Sequence, residues 1–252
     1  LPDSKNCNLG RETAIQKVEW HEDNWLYLAG GGNQPKIEVP APDLDLHPWT
    51  ALADRLPFDS PHYATPRSPS SSVSREPDCL TLDGAESLES NFEQAMLARR
   101  LTSQNLTATT KISFKPENFQ QMAGLAAYYN TFLFHYLYLS MDEEKGLCLQ
   151  IHSCDDGKST FPLGGGIIPV SNNELFLRVS FNNKHLQFYY SHCGQDFLKI
   201  GPVLDASILS DDHGEHWGFT GTFVALACQD LTGKRLPATF EFLELCNNQK
   251  PG

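Results

Sequence analysis

The chain has 252 residues, a formal net charge of −12, 40% hydrophobic residues and 20% charged ones, the profile of a globular protein with room for a sizeable core. With only 19 Lys and Arg against 31 Asp and Glu, it carries no basic patch able to hold a phosphate backbone, which excludes nucleic acid as a partner. The most apolar run, residues 125–141, is broken by Asn130, Thr131 and His135 and falls short of the roughly 20 residues a membrane-spanning helix needs, so no membrane partner is expected.

In chain order, two strand-like runs come first, residues 15–20 and 25–29, joined by the polar turn His21-Glu22-Asp23-Asn24. Such a hairpin is marginal alone and needs a sheet to join. No initiator Met precedes it, and residues 1–33 read as the closing piece of a larger domain. Residues 34–75 change character, with prolines at 35, 40, 42, 48, 57, 61, 66 and 69 and a Ser-rich stretch from 60 to 74. Proline at this density favours extended chain, so the segment reads as a linker. Its apolar residues Trp49, Leu56 and Phe58 suggest that it packs along a surface.

From residue 76 to 252 strand follows strand. The clearest runs are 95–101, 106–114, 122–129, 132–141, 147–152, 174–181, 185–191, 219–229 and 239–246. In 175–181 the odd positions are apolar and Arg178 and Ser180 stand between them, so one face is buried and one is wet. Asn182-Asn183, Cys193-Gly194 and Asp155-Asp156-Gly157 are turn signals. Residues 86–97 are the single passable helix candidate, and a weak one. The pattern predicts an all-β fold, a two-sheet antiparallel β-sandwich.

Seven cysteines contain no CxxC pair, so they read as reduced, small core residues, which favours a reducing, cytoplasmic compartment. The sequon Asn105-Leu106-Thr107 falls in a strand-like run and reads as fortuitous.

Few motifs carry chemistry. Gly30-Gly31-Gly32 lacks the Lys and the helix of a phosphate loop, and Gly164-Gly165-Gly166 reads as a plain loop. Residues 205–216, DASILSDDHGEH, gather acids and histidines. Asp211, Asp212 and Glu215 are oxygen donors of the type calcium takes, and His213 or His216 would suit zinc, but the spacing matches no metal motif. A solvated polar loop is the favoured reading, with a structural calcium left open. No GxSxG elbow is present. Glu241 and Glu244, at odd spacing in one strand, are expected on opposite faces and to be structural. Phe219 and Phe223, at even spacing, are expected to share a face near a loop, where aromatic rings can stack on sugar C–H faces.

Several segments together resemble the C-terminal half of glycoside hydrolase family 43 enzymes of the β-xylosidase and α-L-arabinofuranosidase type. They are GRET at 10–13, QKVEW at 16–20, WLYLAGGGN at 25–33, EVPAP at 38–42, LARR at 97–100, AGLAAYYNT at 123–131 with HYLYLS after it, GPVLDASILSD at 201–211, GFTGTFV at 218–224 and QDLTG at 229–233. The resemblance implies a concanavalin-like sandwich at 76–252, preceded by the end of a five-bladed β-propeller at 1–33. It implies inverting hydrolysis of terminal xylose or arabinofuranose from short xylo-oligosaccharides, with the catalytic carboxylates in the missing N-terminal propeller and no cofactor. This chain alone would then be inactive. By the family pattern Arg11 binds substrate, and Phe219 or Phe223 narrows the pocket. A stand-alone carbohydrate-binding or lectin-like module and a structural domain for homo-oligomerisation are the alternatives.

Overall fold

The computed structural model describes residues 6–11, 13–48, 50–67, 71–216 and 218–248. Two compact units make up the chain, one of residues 12–52 and one of residues 1–11 with 53–252.

In the smaller unit, β1 (Val18–Trp20) and β2 (Leu26–Leu28) form an antiparallel hairpin. Its turn is closed by Asn24 at φ 62°, whose N–H donates to the His21 carbonyl, and by the Trp25 N–H on Asp23 Oδ1. Trp20 and Trp25 are more than 70% exposed, so this hairpin buries little of its apolar surface. Trp49 lies outside the described residues.

The larger unit is a sandwich. Its strands are β3 (Tyr63–Ala64), β4 (Val73–Glu76), β5 (Cys79–Asp83), β6 (Ala95–Arg100) and β7 (Asn105–Ser113). There follow β8 (Gln121–Asn130), β9 (Leu133–Asp142), β10 (Gly146–Asp155), β11 (Lys158–Thr160) and β12 (Ile168–Pro169). The last are β13 (Glu174–Asn182), β14 (His185–Ser191), β15 (Leu198–Asp205), β16 (Phe223–Asp230) and β17 (Pro237–Asn247). One sheet runs β11-β10-β9-β8-β16-β6-β3, with β12 paired to β10, and the other β15-β14-β13-β7-β17-β5-β4. The strand pairings are antiparallel. The single helical turn among the described residues is a 3-10 turn at Ala206–Ile208; residues 86–94 are a loop, and 95–97 belong to β6. The apolar run 125–141 becomes the β8–β9 hairpin, and no described helix is long and apolar enough to cross a membrane.

Leu175, Leu177, Val179 and Phe181 face Leu125, Leu137, Leu149 and Leu226 across the gap between the sheets, the half-buried alternation expected of β13. The first sheet is buried on its outer face as well. Met96, Tyr128, Phe134, Tyr136 and Tyr138 form a second apolar layer there, capped by Leu88 from the 84–94 loop. This is why β8, β9 and β16 read as near-continuous apolar runs, not as alternating ones. Cys154 and Cys228 are buried in these layers, Cys148 is buried as well, and no disulfide joins any two of the seven cysteines.

Within the strands of the sandwich and the segment before them, the structure departs from expectation at the proline-rich segment and in β17. The sandwich takes in residues 53–75, which the proline pattern assigns to a linker: Phe58 is fully buried, and β3 and β4 pair at the sheet edges. The prolines are tolerated there because Pro57, Pro61 and Pro66 lie outside β3 and β4, where no ladder N–H is required. The second departure concerns Glu241 and Glu244. A bulge between Phe240 and Leu243 sets Glu241 and Phe242 together opposite Lys111, so both glutamates lie on the outer face. Glu241 pairs with Lys111, a structural role as expected.

Gly124 pairs with Tyr138 across β8–β9, and a Cβ at this position would come within 2.1 Å of the Leu137 carbonyl. Gly124→Ala must therefore push the two strands apart. It should cost about 1–3 kcal/mol, the scale of an overpacked core, and lower the denaturant midpoint in equilibrium unfolding.

Candidate functional site

Three of the sequence-predicted residues, Arg11, Phe219 and Phe223, fall around one loop, residues 206–222. The N-terminal segment is stitched onto that loop. The Cys7 N–H donates to Ser210 Oγ at 2.7 Å, and Asn8 Nδ2 donates to the carbonyls of Ala206 and Leu209 at 2.6 and 2.9 Å. The Thr222 N–H donates back to the Asn8 carbonyl at 2.7 Å. The two backbones then touch at a pair of glycines. A Cβ on Gly221 would lie 2.6 Å from the Gly10 nitrogen, and both residues have left-handed φ, 83° at Gly10 and 74° at Gly221. Only glycine meets both demands at little cost.

Arg11 emerges from this stitch. Its guanidinium carbon sits 4.3 Å from the centroid of the Phe219 ring, a cation–π contact. Its Nε lies 3.9 Å from Asp211 Oδ2, and the arginine side chain is 66% exposed while that of Asp211 is 3% exposed. Asp211 is held from the other side by the Tyr129 hydroxyl, which donates to Oδ1 at 2.5 Å. Burial first, and then this bond to the carboxylate, push the Tyr129 phenol up to about 12.

Phe219 and Phe223 do not share a face. Phe219 has φ 54° in the stretch between Gly218 and Gly221, so the chain turns there and β16 begins only at Phe223. A left-handed φ on a bulky aromatic residue is strained, and it keeps the Phe219 ring half in solvent, 51% exposed. Phe223 instead sits under Arg100, 4.9 Å from the guanidinium carbon to the ring centroid. It lines an apolar cavity of about 210 Å³ with Met96, Ala98, Tyr128 and Thr220. Arg100 Nη1 also donates to the Thr220 carbonyl, which secures the loop just after Phe219.

Apart from the buried Asp211 and half-buried His213, the polar run 211–216 is exposed, the solvated loop the sequence suggests, and it is tied to its neighbours. His213 Nε2 meets Asp155 Oδ1 at 2.7 Å, and the Glu215 N–H donates to Asp156 Oδ1 at 3.1 Å. His216 stacks on Phe132 at 3.7 Å between centroids, and its carbonyl accepts from Asn130 Nδ2. His213 and His216 are thus engaged in separate contacts, and among the described residues no group of three His, Cys, Asp or Glu is disposed to hold a metal ion. Tyr129 is the site residue that pattern reasoning passes over, since it reads as one more core aromatic of β8. Asp211 stands out only as an oxygen donor of the calcium type, no different from Asp212 in the same polar run.

Residues 54–245 match the family described as the β-xylosidase C-terminal concanavalin A-like domain. The β-xylosidase of Bacillus subtilis (strain 168) is 39% identical over 250 residues, covering 94% of this chain and 46% of the relative. Xylosidase/arabinosidase 43B of Humicola insolens is 38% identical with the same coverage. Among solved structures, the xylan β-1,4-xylosidase from Bacillus halodurans C-125 superposes with a TM-score of 0.86 at 39% identity, covering 96% of this chain and 48% of that one. The chain spans about half the length of the curated relatives it matches.

Burial, and then the bond to Asp211, hold the Tyr129 phenol neutral in the folded state. Its folded-state pKa lies above the unfolded value of about 10, so the stability linked to the neutral phenol is complete below pH 10 and is lost as pH rises towards about 12. Stability measured by urea unfolding should fall over that window, and Tyr129→Phe should flatten the fall.

Proposed function

The chain belongs to the C-terminal concanavalin A-like domain family of glycoside hydrolase family 43 β-xylosidases, and from that membership we propose that it is the sugar-pocket-closing part of an exo-glycosidase. In this reading the full-length enzyme releases terminal xylose, or arabinofuranose, from short xylo-oligosaccharides with inversion. The catalytic carboxylates are supplied by an N-terminal propeller, of which residues 1–33 are the end, and this chain alone is inactive.

The observation that carries the reading is the Arg11–Phe219 pair. A planar, permanently charged fork suits the paired hydroxyls of a sugar, and an aromatic ring suits its C–H face. The structure sets both on one exposed patch, and it fixes the backbone that carries them through Asn8, Gly10 and Gly221. Phe219 is favoured over Phe223 as the pocket aromatic because Phe219 is the exposed ring beside Arg11, whereas Phe223 is taken up by Arg100 and its cavity. The exposed Trp20 and Trp25 of the hairpin support the propeller assignment, since a two-stranded ribbon with bare tryptophans suits a larger sheet. The relatives, named β-xylosidase and xylosidase/arabinosidase, support the substrate class.

A lectin-like module fits less well. The outer face of the first sheet, the natural place for a glycan groove, is filled by Tyr136 and Tyr138 under Leu88, with the tyrosines 1% and 4% exposed.

Assayed alone with an aryl xyloside, this chain should show no turnover above background. Turnover abolished by a substitution within it would overturn the assignment. In the full-length enzyme Arg11→Ala should lower kcat/KM by about 100-fold, the loss of a charge-assisted sugar contact, and Phe219→Ala by about tenfold. Phe223→Ala should leave kcat/KM closer to wild type than either.

A further inference from the structure

Asp211 is an expensive residue to bury. A carboxylate removed from water is costly unless each oxygen finds a partner. Tyr129 satisfies Oδ1, but Oδ2 is buried and accepts no hydrogen bond. The cation beside it is Arg11, with Nε at 3.9 Å, too long for a hydrogen bond and close enough for direct charge attraction.

Arg11 is therefore restrained three times. Its backbone is set by the Asn8 bonds and the Gly10–Gly221 contact, its guanidinium face by Phe219, and its Nε edge by Asp211. These contacts engage the Nε side and the face of the guanidinium, and the Nη pair forms the opposite edge. That edge carries the parallel donors that match two neighbouring hydroxyls. A long, exposed arginine left unrestrained would lose its rotamer freedom each time a sugar binds, and a buried anchor removes that cost in advance.

We propose that Asp211, oriented by Tyr129, is the positioning residue for Arg11, holding the Nε edge so that the Nη fork is presented to the sugar. The inference rests on the reading of Arg11 as a sugar-binding residue. It assigns the aim of that residue to the sandwich, through two side chains that never touch substrate.

The test is a cycle in the full-length enzyme with an aryl xyloside, comparing Arg11→Ala, Asp211→Asn and the double variant for kcat and KM. Asp211→Asn keeps the size of the side chain and an acceptor for Tyr129 but removes the charge. It should lower kcat/KM about tenfold, dividing the loss between kcat and KM in the same proportion as Arg11→Ala. The double variant should be no worse than Arg11→Ala alone. Unchanged constants in Asp211→Asn, or losses that multiply in the double variant, overturn the proposal. If Arg11→Ala is itself silent, the sugar-binding reading falls and the proposal with it; if Arg11→Ala is crippled and Asp211→Asn is not, the proposal alone falls. Should Asp211→Asn fail to fold, Tyr129→Phe decides. It frees the carboxylate to swing, so it should shift kcat and KM in the same direction to a smaller extent, and unchanged constants overturn the proposal.

Discussion

Two strands of backbone that lie 203 residues apart in sequence meet at the Cys7–Ser210 bond and along the residues beside it, and the whole site hangs on that meeting. The closest approach is between Gly10 and Gly221, where a Cβ on Gly221 would lie 2.6 Å from the Gly10 nitrogen and force the chains apart. Asn8 secures the approach by donating to two carbonyls of the 206–209 turn, and Thr222 returns a bond to its carbonyl. Buried backbone groups at such a junction need partners, and here each bond also fixes where Arg11 leaves the surface.

The sandwich beneath supplies the rigidity. Its first sheet is covered on both faces, by the main core within and by the tyrosine layer without. Tyr136 lies opposite Ala126, and its hydroxyl donates to the Ala227 carbonyl at 3.1 Å, reaching across β8 to β16. Small residues at 124, 126, 225 and 227 make room for this. The 206–222 loop, which carries the Arg11–Phe219 pair, lies at one end of this sandwich.

At that end, charge and strain are concentrated together. Asp211 is buried with one oxygen lacking a hydrogen bond, and Phe219 is held at a positive φ. Either feature alone would cost stability on the order of 1–3 kcal/mol with no structural return. Side by side they hold one guanidinium between a ring and a carboxylate. The ties from His213, Glu215 and His216 to the β8–β9 and β10–β11 turns keep the loop in the shape that allows it.

The strand pattern, the turns at Asp156-Gly157 and Asn183, and the family were legible in the chain, because period-two burial and left-handed turn positions are local demands on residue type. Arg11 was legible only through resemblance; the two phenylalanines stood out beside a loop, but their separation onto different surroundings was not legible. A sequence written along β16 suggests that Phe219 and Phe223 share a face, but the left-handed backbone at Phe219 and Gly221 lies between them. The bulge in β17 moved Glu241 and Glu244 onto one face for a similar reason: one extra residue shifts everything after it by half a pleat. Asp211 and Asp212 are chemically the same side chain in the same run, and tertiary packing alone decides which of them is buried beside Tyr129. Residue type determined the sheets; long-range contact decided the site, because a carboxylate acquires its role from what surrounds it in space.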